Sequence, residues 1–248
     1  MSEILHPDRY INLAGTLNLR DLGGYRTEEG RRTRWKRFLR TASLHELPPA
    51  SQDALIAYGV RTVIDLRFTR ETREAPNVFV GSDRVAFHHQ NMIGDVLPAG
   101  YPREGEGPEM VKALYRAVLD GCHMQICRTL TTLAAPEALT GLYHCASGKD
   151  RTGLISALLL GLAGVPRETI AADYALSARY LADARTTAAE SREGGANWED
   201  YQRRVCPPEV MLATLQYLQE CYGGIEAYVR AIGLAPEQIA TLRTNFVE

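Results

Sequence analysis

A histidine and a cysteine, five intervening residues, an arginine and a threonine stand together in "HCASGKDRTG", residues 144 to 153. A thiol in that company is suited to nucleophilic attack on phosphorus. A loop that leaves a strand and enters a helix turns successive backbone N–H groups and the positive helix end toward one point, which makes an anion site. Gly148 lets the backbone approach an oxyanion closely. Arg151 carries a planar fork able to hold two phosphate oxygens at once, and a field of this kind favours a thiolate over a thiol. The rival phosphate loop, G-x-x-x-x-G-K-[ST], does not fit, because Tyr143 takes the first glycine position and Asp150 replaces the metal-binding hydroxyl.

For this run to work it must join a strand to a helix. "TGLYHC" is a short apolar run ending at the cysteine, and "RTGLISALLLGLAG" is apolar almost all round, which predicts a buried helix stopped by Gly164 ahead of Pro166. Upstream, Leu17 to Ala42 is turn-rich and basic and predicts a short hairpin before the main core. "LIAYG" reads as a helix end stopped by Gly59, Thr62 to Leu66 as a buried strand, and Arg84 to His89 as a second strand. A Gly- and Pro-rich loop follows, then helices over Met110 to Leu119 and Gln125 to Ala134. Downstream the spacing predicts helices from Arg167 to about Arg192 and from Pro208 to Tyr222. A further stripe is formed by Ile225, Tyr228, Val229 and Ile232, and the last helix runs from Pro236 to Phe246. Strands interleaved with helices and then a helical run predict an α/β fold. Its central, mostly parallel sheet is flanked by helices, its C-terminal half is helical, and it forms a single domain over 1–248.

Lys plus Arg number 28 against 30 Asp plus Glu, a net charge of -2. Such a balance supplies no field for wrapping a polyanion, so no nucleic acid partner is expected and any pull on phosphate is local. The five cysteines lack the paired spacing of a zinc site and read as free thiols of a reducing compartment. His88 and His89 are neighbours on a predicted strand and face opposite ways, so no metal is expected. No stretch is long and apolar enough for integral membrane association. The first residues lack a basic start followed by an apolar run, so the expected location is cytoplasmic, or outside the cell by a route without an N-terminal signal peptide.

"HCASGKDRTG" resembles the signature loop of the cysteine-dependent protein tyrosine phosphatases, His-Cys-x5-Arg-Ser/Thr. Together with "NLRDLGGY", "VIDLRFTRE" and "CYGGIEAYVRAIGLAPEQIATLR", it makes nearly the whole chain similar to the bacterial tyrosine/serine phosphatases of that class. The resemblance implies a protein tyrosine phosphatase-like fold and metal-independent, cofactor-free hydrolysis of phosphomonoesters through a phosphocysteine. Cys145 would attack phosphorus. The loop of Ala146, Ser147, Gly148, Lys149 and Asp150 would hold the equatorial oxygens together with Arg151. Thr152 would donate to the departing thiolate and His144 would support the loop. The implied substrates are phosphotyrosine proteins, with dual specificity toward phosphoserine and phosphothreonine. A lysine at the position of Lys149 accompanies activity on phosphoinositides, so a phosphoinositide headgroup is an alternative substrate. A non-catalytic phosphate-binding module is a different class of function, which loss of Cys145 or Arg151 would have favoured. A sulfur transferase or redox thiol would have less use for Arg151 and Thr152.

The leaving oxygen needs an acid. Neither Trp35 nor Trp198 is followed by Pro-Asp, so the mobile acid loop of the larger tyrosine phosphatases is absent. Two aspartates remain, both matched in the family. Asp65, at the end of a strand, is preferred because it can approach from across the crevice. Asp150 is left to orient Arg151, hold the attacking water or share the acid role. The plainer alternative is that Asp65 anchors Arg67. Arg20 and Asp21 precede a double-glycine turn and read as a hairpin corner with an internal salt bridge, or as Arg20 reaching the site. Arg67 and Glu71 read as braces of the catalytic loop. Residues 183–206 lie where a mycobacterial member of the family carries a helical lid, and a mobile lid is expected there.

Overall fold

The computed structural model describes residues 3–185, 202 and 205–248. Five short strands are hydrogen-bonded in the order β1-β2-β5-β3-β4. They are β1 (Arg20–Asp21), β2 (Phe38–Thr41), β3 (Thr62–Asp65), β4 (Ala86–His89) and β5 (Gly141–His144). Only the edge strand β1 runs antiparallel; the other pairings are parallel.

Residues on each strand alternate between two cores, as the period of two requires. Phe38, Ile64 and Tyr143 face one cluster, while Leu39, Val63 and Leu142 face the other. The second face is closed by α1 (Pro49–Tyr58), whose Leu55 is fully buried. The first is covered by α3 (Gly107–Gly121), α4 (His123–Ala134), α5 (Asp150–Leu162), α6 (Arg167–Arg185), α7 (Pro208–Tyr222), α8 (Ile225–Ala231) and α9 (Pro236–Phe246). The short α2 (Thr69–Glu74) follows β3. The apolar-all-round reading of α5 holds: ten of its residues, Thr152 to Leu160 and Leu162, are buried. At Gly161 an added Cβ would lie 2.1 Å from the Ile225 side chain, so α8 packs directly against this helix.

Two expectations change. Residues 38–41 are a central strand paired in parallel with β5, and only β1 with β2 retains the antiparallel character of a hairpin. Arg40 disguises this strand in the sequence: a charge inside it reads as surface, yet the guanidinium is fully buried against Asp173. The second strand begins at Ala86 instead of Arg84, whose side chain turns outward to an exposed pair with Asp53. Helix α2 gave no sequence signal because its single turn and a half has no room for an apolar period. The helix after Arg167 is described to Arg185; its expected continuation to Arg192, and most of the expected lid over 183–206, lie outside the described residues.

The register places the site. Thr41 and Asp65 both stand level with His144, so Cys145 emerges between the ends of two flanking strands, at the carboxyl edge of the sheet where crevices form in such folds.

Candidate active site

β5 delivers Cys145, 2% exposed, into a loop that closes at Asp150, the first residue of α5. The carbonyls of this loop are drawn outward. The Ser43 N–H donates to Ala146 O at 2.9 Å. Asn18 Nδ2 donates to Ser147 O at 3.1 Å and to Gly148 O at 3.0 Å, and the Arg40 guanidinium donates to Gly148 O at 2.7 Å. With the carbonyls tied on one side, the peptide N–H groups face the other. Among the described residues, no acceptor takes the N–H of Ala146, Ser147, Gly148 or Lys149. Four donors and a helix N-terminus around one thiol form an anion cradle. Gly148 sits at φ +67°, and an added Cβ would lie 2.3 Å from Thr41 O, so both conformation and space require glycine.

Arg151 returns to the cradle under the grip of Glu71, with its two terminal nitrogens on the carboxylate at 2.6 and 3.2 Å. The Phe68 ring lies 5.0 Å from the guanidinium centre, and the Phe68 N–H donates to Glu71 Oε2 at 2.7 Å. Burial works to raise the Glu71 carboxyl, but the hydrogen bonds and charge of Arg151 outweigh it and hold the group below the ordinary range. Glu71 thus pairs with Arg151 from α2, an element that the sequence did not signal.

Asp65 stands differently from the role preferred for it. It is fully buried. Arg67 Nε and a terminal nitrogen bind its two oxygens at 2.9 and 2.7 Å, and the Arg67 N–H adds a third bond at 3.1 Å. Burial pushes its carboxyl up, but the hydrogen bonds and charge of Arg67 bring it below the usual value. A carboxylate so held spends both oxygens on Arg67. The plainer alternative, Asp65 anchoring Arg67, is what the geometry displays.

His144 is fully buried, and burial lowers its pKa against the pull of Asp65, so the ring is neutral at pH 7. Its Nδ1 lies 3.0 Å from Cys145 O, and Asn77 Nδ2 lies 2.8 Å from Nε2. These partners assign the proton to Nδ1, donating to the loop carbonyl, with Nε2 accepting from Asn77. His144 thus orients the peptide that carries the thiol.

The Arg20 to Asp21 salt bridge is not formed. Arg20 binds Asp173 at 3.0 Å, and Asp21 accepts from the N–H groups of Gly23 and Lys36 and from the Tyr58 hydroxyl, each at 2.7 Å. Asp173 also takes Arg40 at 2.9 Å and the Tyr25 hydroxyl at 2.9 Å. Burial alone would raise the Asp173 carboxyl, but the two arginines drive it far below the usual range. Arg20 supports the cradle from behind: it pairs with the carboxylate that holds Arg40, and Arg40 holds Gly148. Arg40, Asp173, Asn18 and Asn77 escaped sequence reasoning. Of these, Asn18 alone stands in a stretch singled out above, "NLRDLGGY".

Asp150 Oδ1 accepts from the Tyr115 hydroxyl at 2.8 Å and lies 3.5 Å from Lys149 Nζ. The Lys149 ammonium also donates to Val205 O at 3.1 Å. The Thr152 hydroxyl is buried and finds no partner among the described residues. Among those residues, no group of three or more His, Cys, Asp or Glu could hold a metal ion.

Comparison with known proteins agrees with this geometry. A family model described as "Tyrosine phosphatase family" matches residues 11–248. A tyrosine-protein phosphatase of Nostoc commune is 33% identical over 217 residues, covering 84% of this chain and 73% of that protein. The triple specificity protein phosphatase PtpB of Mycobacterium tuberculosis is 25% identical over 277 residues, covering 93% of this chain and 96% of that protein.

Proposed function

The chain belongs to the tyrosine phosphatase family, and on that premise we propose how its own residues divide the hydrolysis of a phosphotyrosine. The enzyme is a protein-tyrosine phosphatase. In the first step the Cys145 thiolate attacks phosphorus, an S–P bond forms, the P–O bond breaks, and the leaving oxygen takes a proton from Asp150. In the second, water attacks phosphorus, its proton passes to Asp150, and the S–P bond breaks with release of phosphate. The loop N–H groups and Arg151 hold the equatorial oxygens through both steps. Thr152, whose buried hydroxyl has no partner among the described residues, donates to the thiolate as it departs.

One observation supports this reading: every carbonyl from Ala146 to Gly148 is tied to a neighbouring element, which leaves the N–H groups of Ala146 to Lys149, next to Cys145, without an acceptor among the described residues. Asp150 takes the acid role because it stands in the loop itself and its side chain is 30% exposed, whereas Asp65 is sealed by Arg67. Dual specificity extends the reading to phosphoserine and phosphothreonine proteins, supported by a relative whose name describes triple specificity. A phosphoinositide headgroup is the second reading, resting on Lys149 in the loop. The bond from Lys149 to Val205 O weighs against it, since a headgroup would have to draw the ammonium off that carbonyl. A panel of kcat/KM values is expected to rank phosphotyrosine peptides above phosphoinositides; the reverse order would favour the headgroup. The five free cysteines support a cytoplasmic, reducing location, and no helix among the described residues is long and apolar enough to cross a membrane.

The direct test is release of nitrophenol from para-nitrophenyl phosphate. Turnover is expected to be blocked by vanadate and abolished in Cys145→Ser. Vanadate binding without turnover in the unaltered protein would instead identify a phosphate-binding module.

A further inference from the structure

Behind Asp150 stand two phenols that the hydrolysis outlined above does not use. Tyr115, on α3, is fully buried, with its hydroxyl 2.8 Å from Asp150 Oδ1 and 3.0 Å from the hydroxyl of Tyr174 on α6. A phenol has one proton to give. The Lys149 ammonium, a donor only, lies 3.5 Å from the same Oδ1, so this oxygen is an acceptor, and Tyr115, its one proton spent on it, accepts from Tyr174. The order of donation is Tyr174 to Tyr115 to Asp150. The two rings meet edge to face, with centroids 6.1 Å apart at 83°, and the Tyr174 hydroxyl also meets the buried Cys206 thiol. Burial pushes both phenols well above their ordinary pKa, so each keeps its proton at any pH where the enzyme works.

The partners of Asp150 fall on one oxygen. Tyr115 and the Lys149 ammonium both approach Oδ1, and Oδ2 has no partner among the described residues. A carboxyl whose Oδ1 is occupied by donors carries its own proton on the other oxygen. We propose that Tyr115 is a positioning residue for the acid step: it clamps Oδ1 so that Oδ2 bears the proton, turned toward the leaving oxygen of the substrate. The inference rests on the reading of Asp150 as the acid. It gives adjacent residues of α6 complementary tasks, since Asp173 secures the loop through Arg40 and Gly148 O, while Tyr174 secures its acid through Tyr115. When the P–O bond breaks, the proton leaves Oδ2 and the new carboxylate keeps the Tyr115 hydrogen bond. The same geometry then receives the proton of the attacking water.

The test is Tyr115→Phe, which keeps the ring and removes the hydroxyl, assayed on a series of aryl phosphates from nitrophenyl to unsubstituted phenyl. On phenyl phosphate, kcat is expected to fall by about tenfold or more, the range of one hydrogen bond to a charged group. Nitrophenyl phosphate, whose leaving group needs little protonation, is expected to lose far less, with KM nearly unchanged. In an Asp150→Asn background, Tyr115→Phe is expected to add nothing. Tyr174→Phe, which leaves the Tyr115 to Asp150 bond in place, should show the same leaving-group dependence in weaker form; it also keeps the test open if Tyr115→Phe folds poorly by its thermal midpoint. Equal losses on good and poor leaving groups, or a full additional loss on top of Asp150→Asn, would overturn the positioning role while leaving Asp150 as the acid. If Asp150→Asn itself treats all leaving groups alike, the acid reading fails and this inference with it.

Discussion

Two aspartates of the same type, each close to the thiol loop, have opposite surroundings. Asp65 is buried with both oxygens on Arg67, and Asp150 stands partly exposed with one oxygen engaged. Asp150→Asn is expected to cut kcat on poor leaving groups by about 100-fold or more, the scale of general acid catalysis. Asp65→Asn acts through stability instead, since it strands the buried Arg67 and should cost about 3 kcal/mol or more in chemical denaturation. A near-native denaturation midpoint in Asp65→Asn with a steep leaving-group dependence would reverse the assignment. The types at both positions were legible in the sequence, and so was Arg67 as a possible partner of Asp65; whether the guanidinium folds back on that carboxylate, two residues away, was visible only in the tertiary structure.

At the level of elements, the cradle is a β5 to α5 connection held by contributions from β2 and α2. Gly148→Ala places a Cβ against Thr41 O on β2 and forces a side chain into a left-handed backbone. Strain of about 1–2 kcal/mol from the backbone alone is expected, and the clash displaces the loop, so activity should be nearly lost while circular dichroism stays close to native. From α2, Glu71 fixes the direction of the Arg151 fork. Glu71→Gln is expected to lower kcat/KM by about tenfold, with little change in thermal midpoint because the side chain is partly exposed. Since the folded carboxyl titrates below its ordinary value, the bracing is complete above about pH 4.5 and is lost as pH falls through the lowered value. The difference between Glu71→Gln and the parent should accordingly narrow in acid. Helix α5 was readable because ten of its residues share one buried environment. Strand β2 was not, since its arginine is buried by a partner 133 residues away.

Across the whole molecule, Asp173 joins the helical half to the sheet by receiving Arg20 from β1 and Arg40 from β2. Asp173→Asn leaves two buried guanidinium groups short of an anion and should destabilise the fold by about 3–5 kcal/mol. The folded carboxyl titrates below its unfolded value near pH 3.9. Its stabilisation is thus fully present above that value and lost as pH falls beneath it. Thermal unfolding of Asp173→Asn and the parent should converge below about pH 4; a constant gap down to pH 2 would exclude the carboxylate as its source. The amino-acid sequence by itself determined the reaction class, because nucleophile, amide donors, arginine and hydroxyl lie within eight consecutive residues whose strand-to-helix setting follows from local apolar patterning. Only the tertiary structure separated the surroundings of the two aspartates and showed what holds the loop in shape. Those answers depend on Tyr115, Asp173, Arg40 and Asn18, residues distant along the chain whose buried charges and hydroxyls acquire meaning only when the fold removes water and brings them together.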